Sequence, residues 1–346
     1  MSKGLVLISG VNGYIAARTA AHFLDSGYSV RGTVRKASSA QALIDGPLSK
    51  YAKDGTFTIA EVPDITVPGA FDTAVKGVTA IAHLAAPVSF GFTDPVPILH
   101  AAVNGTKTIL ESALQFAGPQ LKTVVIMSSI AAVLNGSPPP YKLSEKDWNN
   151  FAEGMVEAQG KETPGPIIYV ASKAAAEKAF WAFRDEKKPS WSMTAVNPVF
   201  VIGPPLLAPK TEKDVGETYA AIWQIFKGEA FPEPSAGLPH VVDVRDVAKL
   251  TLYPIEHPAE TNGERYIASA AVGHPQAVAD ILRNEFPEAK DRIREGTPGQ
   301  GYKKGFEADE TLVNPVDGGK GEKALGGYIK YEKSVVDTAK ALKALL

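Results

Sequence analysis

Residues Leu5-Val6-Leu7-Ile8 form an unbroken apolar run, and Ser9-Gly10-Val11-Asn12-Gly13-Tyr14-Ile15-Ala16 follows at once and opens a helical pattern. Apolar residues without polar alternation read as a strand covered on both faces, which calls for a parallel sheet with helices on each side. At the junction Gly10 permits a sharp exit from the strand, and Gly13 lets another group approach the backbone. The helix beyond presents unbonded N–H groups and the positive end of its dipole. A glycine turn is common in itself; in this strand–turn–helix context it reads as a pyrophosphate cradle made by Gly10, Asn12, Gly13, Tyr14 and Ile15.

The alternation continues. Residues 5–8, 29–34, 56–59, 80–84, 123–127 and 192–196 read as buried strands, with helical segments near 14–26, 69–76, 95–117 and 170–187. Strands alternating with helices predict an α/β fold, a Rossmann-type doubly wound parallel sheet. After residue 200 proline and glycine become frequent. The expected division is a dinucleotide-binding domain over 1–200, with some later segments returning to it, and a smaller substrate-binding region over 201–346. Helices are expected over 277–286 and 334–346, and the glycines between 318 and 327 suggest an exposed loop.

With 346 residues, 45% hydrophobic and 21% charged, the chain has a globular balance and ample material for a core. A net charge of −2 without a long basic run argues against nucleic acid or anionic membrane as partner. There is no cysteine, so disulfides, thiolate metal sites and a cysteine nucleophile are excluded. No stretch approaches the roughly 20 apolar residues of a membrane helix. The first apolar run is too short for a signal peptide. The expectation is a cytoplasmic protein, monomer or homodimer.

The second strand decides the cofactor. A site for NAD usually carries an acidic residue there to hold the ribose hydroxyls. Between Asp25 and Asp45 no acid occurs, and Arg31, Arg35 and Lys36 stand instead. A guanidinium can clamp a 2′-phosphate in two bonds, so NADP(H) is expected, with Arg35 leading and Lys36 in support. Arg31 suits a solvated charge as well.

Tyr169-Val170-Ala171-Ser172-Lys173 carries the chemistry. Residues four apart share a helix face, so phenol and ammonium reach one reacting centre. A free phenol has a pKa of about 10, and a neighbouring ammonium lowers it. Tyr169 can then give a proton to a carbonyl oxygen as hydride arrives at carbon. Ser128 and Ser129 end an apolar strand, where a hydroxyl can bond that oxygen or merely cap a turn. Each pattern alone is commonplace. Their order along the chain favours catalysis.

Together with His83-Leu84-Ala85-Ala86-Pro87, Ala102-Val103-Asn104-Gly105-Thr106 and Val242-Asp243-Val244-Arg245-Asp246, these motifs resemble the extended short-chain dehydrogenase/reductase family. Within it the chain is most similar to the fungal NADPH-dependent aldehyde and ketone reductases related to dihydroflavonol reductase. The resemblance implies that Ser129 is the catalytic serine beside Tyr169 and Lys173. It also implies Asp64 and Ile65 at the adenine, Ala85 and Ala86 by the nicotinamide ribose, Pro198, Val199 and Val201 at the nicotinamide, and a contact from Thr218. Ser9 replaces the family's usual threonine.

None of the six histidines has metal-ligand spacing, and no metal is expected. His83 reads as a buried structural residue, and Asn104 as an organiser of its helix. Asp243, Arg245 and Asp246 suggest an ion pair bracing the two regions. Tyr219, Ile222, Trp223 and Phe226 form a stripe that packs a core or, for Trp223 and Phe226, walls a substrate. Phe90 and Phe92 are further substrate-side candidates. The expected activity is carbonyl reduction of a small molecule. Alternatives are a hydroxysteroid dehydrogenase or sugar-nucleotide epimerase on the same fold, and a redox sensor that binds NADP without turnover.

Overall fold

The computed structural model describes residues 2–86, 91–138, 140–232, 240–308 and 314–346. Its strands are β1 (Leu5–Ser9), β2 (Ser29–Val34), β3 (Phe57–Glu61), β4 (Ala80–His83), β5 (Thr123–Met127), β6 (Ser192–Pro198), β7 (Phe200–Ile202), β8 (His240–Asp243), β9 (Arg265–Ala268) and β10 (Ala271–Val272). A seven-stranded sheet runs in the order β3-β2-β1-β4-β5-β6-β9. The pairings from β3 through to β6 are all parallel. Every residue of β4, β5 and β6 is buried, as befits central parallel strands covered on both faces.

The strand order reverses beside β1. The chain runs outward from β1 through β2 to β3, then returns to pair β4 on the other side of β1. Ligands of open α/β sheets bind outside the carboxyl ends of the strands at such a reversal.

Two long helices pack against each other, Pro95–Phe116 and Gly165–Lys187. The first starts at Pro95, behind an Asp94 carboxylate that accepts the Val96 N–H at 3.1 Å. The second starts five residues before the expected 170, because Pro166 suits a first helical turn. Tyr169 therefore lies inside a helix rather than ahead of one. Ile109, Leu110, Phe180 and Trp181 join Ile81, Val124 and Met193 in one core cluster. Burying a large apolar side chain contributes about 1.5–3 kcal/mol, so this face fixes both helices on the sheet.

Two expectations fail locally. Residues 69–76 form successive turns instead of a helix. Most of the backbone bonds there span three residues, as in Asp72 N–H to Gly69 O at 3.0 Å. Asp72 is also drawn away to accept the Ser112 hydroxyl at 2.7 Å. Within 318–327 a helix spans Gly319–Leu325. Lys320, Glu322, Lys323, Ala324 and Leu325 are good helix formers, and Asp317 accepts the Gly319 N–H at 3.1 Å.

The chain divides into two compact units, one of residues 1–137, 144–197 and 248–266, the other of 138–143, 198–247 and 267–346. The division thus falls after Asn197, and a later segment re-enters the first unit. The second unit holds a three-stranded sheet, β10-β8-β7, and the helices Ala220–Phe226, Pro275–Glu285 and Tyr331–Leu342. Among the described residues no helix is long and apolar enough to cross a membrane.

Candidate active site

In the first unit the ends of β1, β2 and β4 are locked together. Gly10 has φ +66°, and a Cβ there would lie 3.2 Å from Cα and Cβ of Ala85. A side chain at Gly32 would meet Val11 Cγ1 at 2.4 Å, and the Val11 N–H donates to Thr33 O at 3.0 Å. The Ser9 hydroxyl accepts the N–H groups of Leu84 and Ala85, each at 2.9 Å. The helix Tyr14–Asp25 begins after Gly13 with no side chain capping its N-terminus. Asn12 and Gly13 are exposed, and Tyr14 and Ile15 half-buried. An uncapped helix start beside a backbone stripped of side chains suits a pyrophosphate, so the residues fit a dinucleotide.

The basic residues separate by role. Arg31 Nη1 donates to Ala74 O at 2.7 Å and Lys76 O at 2.8 Å, which makes it a strut between β2 and the 69–77 turns. Arg35 and Lys36 lie just past β2 and are exposed, open to a 2′-phosphate. Glu61, paired with Val34 across β2 and β3, accepts the Ala37 N–H at 2.5 Å. Sequence reasoning missed that carboxylate, because only strand register brings it there. Asp64 accepts the hydroxyl and N–H of Thr66 at 2.7 and 2.8 Å, and these bonds hold its carboxyl below the usual range. Ile65 packs where a Cβ on Gly105 would come within 2.7 Å of its Cδ1, and its carbonyl accepts the Thr108 hydroxyl. The Asp64–Ile65 turn is thereby fixed on the Pro95–Phe116 helix.

Ser128 and Ser129 end β5 and differ in what they can do. The Ser128 hydroxyl donates to Glu177 Oε2 at 2.5 Å. Ser129 accepts the Ala131 N–H at 3.2 Å and gives its proton to no acceptor among the described residues. Tyr169 is half-buried and Lys173 only 7% exposed. Burial lowers the Lys173 pKa to about 8, partly offset by the Glu177 carboxylate one turn further along. A cavity of about 20 Å³ lies against Lys173, lined among others by His83, Ala85, Ala86 and Ser128. It has room for one water but not for a substrate. Asn104 binds His100 Nε2 through its amide at 2.8 Å, a contact within its own helix.

Pro198, Val199, Val201 and Thr218 belong to the second unit. Val199 is buried and donates its N–H to Ala268 O at 3.1 Å, while Val201 pairs with Val242. Thr218 is half-buried in a short 3-10 turn. Trp223 and Phe226 are core residues there, 4% and 1% exposed, with Phe226 against Phe286 at 5.0 Å between rings. Phe92 is half-buried, and Phe90 lies outside the described residues. Arg245 grips Asp243 with two bonds of 2.7 and 2.8 Å and reaches Asp337 at 2.6 Å. These partners all lie in the second unit, so the pair braces that unit internally and not the two regions expected. No cluster of metal-ligating residues occurs among the described residues.

Residues 6–268 match the NAD dependent epimerase/dehydratase family. The chain belongs to this family. Among its relatives is the NADPH-dependent methylglyoxal reductase of Saccharomyces cerevisiae, 33% identical over 96% of both chains. Aldehyde reductase 2 of Sporidiobolus salmonicolor is 35% identical over 66% of this chain and 65% of its own. The structure is similar to that of yeast methylglyoxal/isovaleraldehyde reductase complexed with NADPH, with a TM-score of 0.81 and 31% identity, covering 99% of this chain and 100% of the other. The glycine turn, β4 and the Tyr/Lys helix of this epimerase/dehydratase chain all fall inside the matched span.

Proposed function

We propose that this protein reduces aldehydes and ketones to alcohols with NADPH, using Tyr169 as proton donor, Ser129 as the hydroxyl that holds the carbonyl oxygen, and Lys173 as the charge that keeps the phenol acidic. The observation that carries this reading is a lysine buried one helical turn from Tyr169 on the Gly165–Lys187 helix. A buried ammonium is costly, and a phenol four residues away gains acidity from it. Bound NADPH supplies the hydride. Ser129 has a proton to spare for the substrate oxygen, because Ser128 and not Ser129 is committed to Glu177. Tyr169 gives its proton to the same oxygen, so a carbonyl, a hydride and a proton make one alcohol. The exposed Arg35 and Lys36 favour the phosphorylated dinucleotide, and the relatives named for NADPH dependence support the same choice.

The test follows NADPH absorbance with purified protein and a panel of aldehydes and ketones that includes methylglyoxal. Turnover is expected, and Tyr169→Phe should lose about a hundred- to ten-thousand-fold in kcat. A Tyr169→Phe protein that keeps most of its turnover sinks the assignment.

A further inference from the structure

The Gly165–Lys187 helix carries a third polar residue at the spacing of Tyr169 and Lys173. Glu177 is fully buried. Its carboxylate accepts from Ser128 Oγ at 2.5 Å, Asn197 Nδ2 at 2.7 Å, Trp181 Nε1 at 3.1 Å and Arg265 Nε at 2.6 Å. These donors come from the carboxyl end of β5, the end of β6, the helix itself and the start of β9. Asn197 also donates to Ser129 O at 3.2 Å. Arg265 is 7% exposed, donates to the carbonyls of Glu145 and Asp147 at 2.8 and 2.6 Å, and stacks on Trp148 at 4.0 Å.

We propose that Glu177 is a positioning residue for this site: held by Arg265, its carboxylate ties the strand end bearing Ser129 to the helix bearing Tyr169 and Lys173, and sets a negative charge one helical turn from the buried lysine. The proposal rests on the carbonyl-reductase reading above. A buried ion pair seldom adds net stability over apolar packing, so its presence beside a reacting lysine calls for another account. Two links support positioning. Ser128 precedes Ser129 in the chain and Asn197 donates to the Ser129 carbonyl, so through both a shift of the carboxylate moves the serine relative to the helix. Glu177 also lines the same small cavity as Lys173, one helical turn further along, and its carboxylate raises the lysine's pKa against the effect of burial.

Among the described residues, the titratable groups that line the cavity with Lys173 are Glu177 on its own helix and His83 at the end of β4, with Tyr169 one turn before the lysine and Arg265 behind Glu177. His83 is held neutral by burial and by Lys173 itself, with its pKa lowered to about 4. Glu177 is the carboxylate whose loss removes a charge that raises the lysine's pKa.

The experiment titrates Lys173 by NMR in protein labelled with isotopic lysine, without NADPH, so it reads independently of turnover. In Glu177→Gln its midpoint is expected to fall by about one pH unit, and the alkaline limb of kcat/KM for methylglyoxal to move down with it. A midpoint unchanged in folded Glu177→Gln overturns the electrostatic part. Glu177→Asp keeps the charge and shortens the reach, and stands in should the Gln variant fail to fold. It is expected to leave the midpoint in place and lower kcat about tenfold, with NADPH affinity retained. Wild-type kcat in Glu177→Asp, or a midpoint that falls there as well, overturns the proposal. If wild type reduces none of the aldehydes and ketones with NADPH while the Lys173 midpoint still falls in Glu177→Gln, the reductase reading fails and the charge effect stands.

Discussion

The Ser9 hydroxyl lies 2.9 Å from Nδ1 of His83 while accepting the N–H groups of Leu84 and Ala85. Its lone pairs are taken, so its single proton goes to the imidazole. Nδ1 is then an acceptor, and His83 carries its proton on Nε2. Burial, reinforced by Lys173, lowers its pKa to about 4 from 6.5.

This relationship predicts an acid-sensitive fold. Between pH 6.5 and about 4 the unfolded chain binds a proton at His83 that the folded chain refuses. Stability from His83 is thus present above 6.5 and is lost as pH falls through that window, up to about 3 kcal/mol. Urea unfolding at the two ends of the window should show a smaller loss for His83→Gln than for wild type. An equal loss in both proteins contradicts the assignment.

The two serines at the end of β5 should separate in their effects. Ser129→Ala removes a hydroxyl from the reacting oxygen, with an expected loss of about a hundredfold in kcat, and costs only about 1 kcal/mol in stability through the Ala131 N–H it caps. Ser128→Ala leaves the Glu177 carboxylate short of a donor, at a cost of about 1–3 kcal/mol in stability, with kcat reduced by less than tenfold. Parallel calorimetry and steady-state kinetics would reveal a reversal of these roles.

Arg31 and Arg35 make a second contrast. Arg35→Ala should weaken NADPH binding by about ten- to a hundredfold and leave NADH binding unaltered, since only the 2′-phosphate loses a charge-assisted bond. Arg31→Ala instead strips the bonds to Ala74 and Lys76 and should lower stability by about 1.5–3 kcal/mol without changing cofactor preference. Binding of both cofactors by isothermal titration, beside chemical unfolding, checks the pair.

Gly10→Ala should fold with a cost of about 1–2 kcal/mol for its left-handed backbone. Relief of the contact with Ala85 moves the turn out of place, so NADPH affinity is expected to drop about tenfold. Titration of the variant with NADPH that matches wild type would argue against a pyrophosphate beside Gly10.

The apolar runs of β1 and β5, the glycine turn at Gly10 and Gly13, and the four-residue spacing of Tyr169 and Lys173 were readable in the sequence, because each is a local pattern governed by one element's own period. The 69–76 turns and the Gly319–Leu325 helix were misread where glycine counts and short apolar spacing outweighed caps and side-chain ties. The partners of the buried polar groups belong to the tertiary structure alone. Glu177 and Arg265 stand 88 positions apart, and Ser9 and His83 stand 74 apart. Which serine of the β5 pair keeps its proton, and which arginine of the second strand stays open, follow from the strands and turns that lie alongside. A buried polar atom must find its partner across neighbouring elements, and sheet order, which periodicity does not encode, chooses those neighbours.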